Sequence, residues 1–170
     1  MTDPAEDIFD VVDANDHVIR QERRSVVHRE GLLHRAVHIF VFNSSGDLFL
    51  QLRSKSKDEY PSRYTSSASG HVDAGEDYDF AANRELQEEL GITGKLEFLT
   101  KLPARKELAN EHSALYRVTT DDELTLDPDE IAGGDFYPVG EIAMWILREP
   151  RKFSPPFLVL FDWYRRRFDY

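Results

Sequence analysis

Apolar and polar positions divide this chain into short strands, one central helix and a helical tail. Phe9 to Val12 and His17 to Ile19 flank the turn-rich Asp13-Ala14-Asn15-Asp16, which predicts an opening hairpin at about residues 8–20. After a charged segment, Val37 to Phe42 forms a β-branched and aromatic run that stops at Asn43-Ser44-Ser45-Gly46-Asp47. Leu48 to Leu52 then carries leucine at every second position, so two strands joined by a tight turn are expected. Residues 54–69 have no helical period and contain Pro61, which reads as a loop with a short strand near Tyr64.

From Asp77 to Leu90 the period becomes helical, with Ala82, Leu86 and Leu90 on one apolar stripe. Acidic residues crowd the first turn and Gly91 supplies the stop. Leu96 to Leu102, Ala114 to Thr119 and Phe136 to Val139 read as strands, and Glu141 to Leu147 as a helix. Pro155-Pro156 fits the entry of a last helix at about residues 155–168. This order favours an α+β sandwich over an alternating βαβ fold, and 170 residues suit a single domain, 1–170.

The formal net charge of −11 argues against bulk attraction to nucleic acid or acidic lipid. A phosphate ligand would have to meet local cations or a bound metal. Basic clusters occur at Arg20 to Arg24, Arg53 to Lys57 and Arg165 to Arg167, the last of which reads as a solvated face. No apolar run approaches the ~20 residues of a membrane span, and the opening MTDPAED lacks the pattern of a signal peptide. A cytoplasmic protein with no membrane partner is the simplest expectation. The absence of cysteine excludes disulfides, thiolate metal sites and cysteine nucleophiles.

Glu85, Glu88 and Glu89 stand at i, i+3 and i+4 and share one face of the central helix. At roughly 5 Å and an effective dielectric of about 20, each pair repels by around 3 kcal/mol before screening. A cation belongs there. The wider pattern is Gly70, five residues, Glu76, seven residues, then Arg84-Glu85-Leu86, Glu88-Glu89 and Gly91-Ile92. This stretch, 70–92, resembles the box of the Nudix hydrolases at every specified position. The resemblance implies an α/β/α sandwich with a mixed sheet, in which a central loop-helix-loop presents Mg2+ or Mn2+ to a diphosphate. It implies Glu85, Glu88 and Glu89 as metal ligands with the Gly70 carbonyl facing a metal, Glu76 as their partner and Arg84 as the group orienting them. Asp77 and Asp79 read as helix-start residues.

A second resemblance covers more of the chain. Gly31 to Ala36, Leu50 to Ser54, Ser69-Gly70-His71, Asn110-Glu111 and Phe153-Ser154-Pro155 look like landmarks of type I isopentenyl-diphosphate isomerases. That family carries a cysteine before Gly-His and a tryptophan after Phe-Ser-Pro, where this chain has Ser69 and Pro156. A hydroxyl is far less acidic than a thiol, and the indole face that would stabilise a cation is missing. Both departures, and the intact box, favour hydrolysis. Glu111 matches an acidic metal ligand of the isomerases, Ala109 stands where a partner acid is expected, and His34 and His71 match metal-binding histidines, with His28 near a third. A second metal site at His34, His71 and Glu111 would suit Zn2+ or Mn2+, the alternative for His34 being a hydrogen-bonded structural residue. Arg53 and Lys57 match positions that contact the diphosphate.

The expectation is therefore a divalent-metal-dependent hydrolase cleaving a phosphoanhydride in a nucleoside diphosphate derivative or related small metabolite. Glu88 or Glu89 would serve as base, with Glu111 an alternative or an added ligand. An isomerase-like enzyme and a non-catalytic nucleotide sensor are the alternatives. Dimers are frequent among Nudix proteins, so a homodimer is one expected assembly.

Overall fold

A computed structural model describes residues 6–170. The chain opens with an antiparallel hairpin of β1 (Ile8–Val12) and β2 (Val18–Arg23), then a short helix α1 (Arg24–Glu30). Strands β3 (His34–Phe42), β4 (Leu48–Arg53), β5 (Tyr64–Thr65) and β6 (Ala68–His71) lead to helix α2 (Tyr78–Leu90). After β7 (Glu97–Leu102), β8 (Glu111–Thr119) and β9 (Ile131–Tyr137) come α3 (Val139–Arg148) and α4 (Pro155–Phe168).

Strand β3 is the axis of a mixed seven-stranded sheet. One edge pairs with β8 in parallel, from His34 opposite Glu111 to Phe42 opposite Thr119. The other meets β6 antiparallel over Ala36 to Ile39 and touches β4 at Phe42 and Leu48, beside the tight turn. Alternation along β3 serves two cores. Val37, Ile39 and Val41 pack with the α2 stripe of Ala82, Leu86 and Leu90, while Phe40 and Phe42 pack with Phe157, Phe161 and Tyr164 of α4. The result is the expected α+β sandwich, with helices on both faces of the sheet. Among the described residues no helix is long and apolar enough to cross a membrane.

Two details depart from the sequence reading. Residues 24–30, read only as charged, form α1, which Gly31 closes in the left-handed region at φ 63°. Val27 of α1 packs with Phe9 and Val11 in a small third core. Strand β9 begins at Ile131 rather than Phe136. Gly133-Gly134 hid its first half, yet a Cβ on Gly134 would stand 2.5 Å from the Leu50 carbonyl oxygen, so the close approach to β4 needs glycine.

Candidate functional site

The sheet register assembles the site. Parallel pairing sets His34 at the start of β3 beside Glu111 at the start of β8, and antiparallel pairing brings His71 at the end of β6 opposite Ala36. Helix α2 crosses this end of the sheet. Asp77 caps it by accepting from the Phe80 N–H at 2.7 Å, and Asp79 accepts from the Tyr116 hydroxyl at 2.6 Å, so both acids serve structure. The open space between these elements is a cleft of about 810 Å3.

On the α2 side, Arg84 is the hub. Its Nε and Nη2 donate to the two Glu76 carboxylate oxygens at 2.9 and 2.8 Å, a bidentate pair. Nη1 donates to Glu85 Oε1 at 2.6 Å and to Glu88 Oε2 at 3.3 Å, and Nη2 also donates to the His71 carbonyl at 3.0 Å. Glu76 Oε2 accepts from the Asp73 N–H at 2.9 Å, which fixes the loop ahead of the helix. Glu89 is buried and accepts from Gln51 Nε2 at 2.8 Å and the Ser69 N–H at 3.1 Å. Burial pushes its carboxyl up to about 7. Burial and then repulsion from Glu89 raise Glu85 well above the usual carboxylate range, although Arg84 opposes this. Glu88, 59% exposed, faces open solvent.

The other side is a triangle of imidazoles. The ring centroids of His28, His34 and His71 lie 5.3, 5.1 and 5.2 Å apart pairwise. His34 Nδ1 donates to the Leu32 carbonyl at 2.9 Å, which turns Nε2 inward toward Glu111, and against the cost of burial the Glu111 carboxylate raises the ring's pKa. His34 Nε2 lies 3.3 Å from Glu111 Oε1 but outside hydrogen-bond geometry, and His28 Nε2 is likewise buried without a partner. His71 Nε2 sits 2.9 Å from Glu111 Oε1. Burial works against ionised Glu111, yet the flanking His34 and His71 hold its carboxyl well below the usual range. Burial, then the neighbouring His71 and His34, lowers His28 to about 4.

These donors fit divalent cations on two observations. A Cβ on Gly70 would stand 2.1 Å from Glu85 Oε1, so the backbone must lie bare against that carboxylate. Two buried imidazole nitrogens turn inward with no hydrogen-bond partner among the described residues. Two groups bring three donor atoms within 4.8 Å of one another: His28 with His34 and His71, and Glu59 with His71 and Glu111. The Arg84 guanidinium lies among the box glutamates, bonded to Glu85 and Glu88.

Arg53 and Lys57 both line the cleft. Arg53 Nε donates to the Glu59 carbonyl at 2.9 Å, and Lys57 Nζ pairs with Glu130. Among aromatic residues, Phe153 is fully buried in the core, Tyr64 packs on Trp145, and Tyr60 lines the cleft. Sequence reading did not single out Glu59, took Gln51 only as part of a strand, and took Arg24 only as part of a basic cluster; Gln51 lies beneath Glu89, and the pair of Arg24 with Asp58 at 2.7 Å bolts α1 to the loop. Gly31, as a helix stop, is the local signal that could have marked α1, the helix that carries Arg24 and His28.

Residues 32–158 match the NUDIX domain. The chain belongs to the Nudix family. An uncharacterized Nudix hydrolase from Streptomyces coelicolor is 36% identical over 141 residues, covering 81% of this chain and 78% of that one. An isopentenyl-diphosphate delta-isomerase from Serratia proteamaculans is 32% identical over 155 residues, covering 88% and 87%. The crystal structure of a Deinococcus radiodurans protein superposes with a TM-score of 0.74 at 26% identity, covering 83% of this chain and 89% of that one. A Nudix domain with these clustered donors is a hydrolase-type site suited to divalent metal and to phosphoanhydride cleavage.

Proposed function

We propose that this Nudix protein, acting as one domain over residues 1–170, hydrolyses a phosphoanhydride in a nucleoside diphosphate derivative or related small metabolite, on a frame like that of the isopentenyl-diphosphate isomerases. One observation carries the choice of hydrolysis. Ser69 and Pro156 both line the cleft, at the positions where the isomerases carry cysteine and tryptophan, so the pocket offers neither thiol nor indole. The Ser69 N–H is instead spent on Glu89.

In this reading Glu85, Glu88 and Glu89, with the Gly70 carbonyl, hold Mg2+ or Mn2+. His34, His71 and Glu111, with His28, hold a second cation. A bound divalent cation neutralises diphosphate oxygens and makes water a stronger nucleophile at neutral pH. The chain's own residues do the rest. Arg84, fixed by Glu76, keeps the carboxylates of Glu85 and Glu88 at set angles. Arg53 and Lys57 exchange the Glu59 carbonyl and Glu130 for phosphate oxygens. Glu88 or Glu89 accepts the proton from the attacking water, Glu88 being the more open to solvent.

The isomerase reading is favoured by relatives such as the Serratia protein. The test is a screen of nucleoside diphosphates, dinucleotides, sugar nucleotides and prenyl diphosphates with Mg2+ and Mn2+. Hydrolysis predicts metal-dependent phosphate products from at least one of them. Migration of the double bond in isopentenyl diphosphate would overturn the proposal, and binding without turnover would favour a nucleotide sensor.

A further inference from the structure

The loop between β4 and β5 carries two consecutive acids with different fates. Asp58 pairs with Arg24 at 2.7 Å. Glu59 is half-buried, no cation among the described residues forms an ion pair with it, and its carboxylate lies within 4.8 Å of donor atoms of His71 and Glu111. The backbone beyond it is held in the left-handed region at two residues that are not glycine, Tyr60 at φ 48° and Ser62 at φ 57°. An unpaired carboxylate turned toward another carboxylate is unfavourable unless a cation lies between them. The same space receives the unpartnered Nε2 atoms of His28 and His34, and the His34 ring is 2% exposed.

Ala109 lines this cleft two residues before Glu111, and its methyl group supplies no ligand. We propose that Glu59 is the second carboxylate ligand of the histidine centre, supplied by the β4–β5 loop in place of an acid at Ala109. The full donor set is then three imidazoles with two carboxylates, a nitrogen-rich mixture suited to Zn2+ or Mn2+. Glu59 also neighbours the phosphate-binding side of the cleft, because Arg53 Nε donates to its carbonyl until a phosphate oxygen takes that place. This inference rests on the reading of the histidine centre as a metal site.

Calorimetric titration of chelator-stripped protein with Zn2+, under excess Mg2+ to fill the oxygen-only box site, tests it without turnover. Wild type is expected to show one tight site that His71→Ala loses. Glu59→Gln, folded by circular dichroism, is expected to bind Zn2+ about tenfold or more weakly. Glu59→Ala combined with Ala109→Glu is expected to recover most of the loss. Wild-type affinity in Glu59→Gln, with His71→Ala still defective, would overturn the role of Glu59 alone. Equal binding by wild type and His71→Ala would overturn the metal reading of the centre itself.

Discussion

Single atoms decide much of this site. Gly70 is bare because the Glu85 carboxylate occupies the space a Cβ would need. Gly70→Ala therefore forces Glu85 or strand β6 to move, and is expected to cost about 1–3 kcal/mol of stability together with the metal response. Thermal melts with and without Mg2+ check both. His38 offers a test in which burial outweighs the opposing pull of Glu111. It is buried in β3, its Nδ1 lies 2.9 Å from Ser66 Oγ, and burial lowers its pKa to about 4. Between the unfolded value near 6.5 and about 4, the unfolded chain takes up a proton that the folded one refuses. Stability is thus lost as pH falls through that window, by up to about 3 kcal/mol, and is unaffected by this residue above it. Urea midpoints measured from pH 4 to 7 should fall more steeply in wild type than in His38→Asn; parallel curves would contradict the assignment.

At the scale of elements, α2 and its approach loop form a unit locked by Arg84. Lysine offers one point charge where Arg84 makes five hydrogen bonds in a planar fork. Arg84→Lys is expected to lower kcat about tenfold to a hundredfold with little change in melting temperature; a normal kcat would remove the orienting role. Ser154 caps α4 through the Phe157 N–H at 3.3 Å and bonds Thr65 at 2.8 Å, both in the core. Ser154→Ala is expected to cost about 1–2 kcal/mol, read by chemical denaturation.

Helix α2 was legible in the sequence because its stripe, its cap and its stop all agree, and the strands from Val37 to Leu52 were legible because they are buried on both faces. Helix α1 was not, since it is short, only Val27 of it is buried, and Arg23 at its start makes no side-chain cap. The motif marked the glutamates and Arg84 as the group orienting them, but not which oxygens Arg84 would bond, which depends on how loop and helix meet. The histidines stand 37 residues apart at His34 and His71, and strand register, which no local pattern encodes, brings them together. Glu59 was invisible for a related reason: a half-buried acid on a polar loop looks like any solvated one until the loop is folded.

At the scale of the whole molecule, a chain of net charge −11 concentrates several of its carboxylates at one end of a sheet. Divalent metal should therefore stabilise the fold as well as act in it, since a cation that binds only the folded state shifts the equilibrium by mass action. Millimolar Mg2+ is expected to raise the melting temperature of chelated protein by several degrees, and less in Glu89→Gln; calorimetry in parallel samples reads the difference. The central claim is that this cleft breaks a phosphoanhydride. Phosphorus-31 NMR of a diphosphate panel that includes isopentenyl diphosphate tests it most directly, with wild type, Glu88→Gln and Glu89→Gln compared in the presence and absence of Mg2+. The account predicts new phosphate resonances that require both the metal and the two glutamates. An unchanged spectrum from well-folded, metal-loaded wild type across the panel would contradict it.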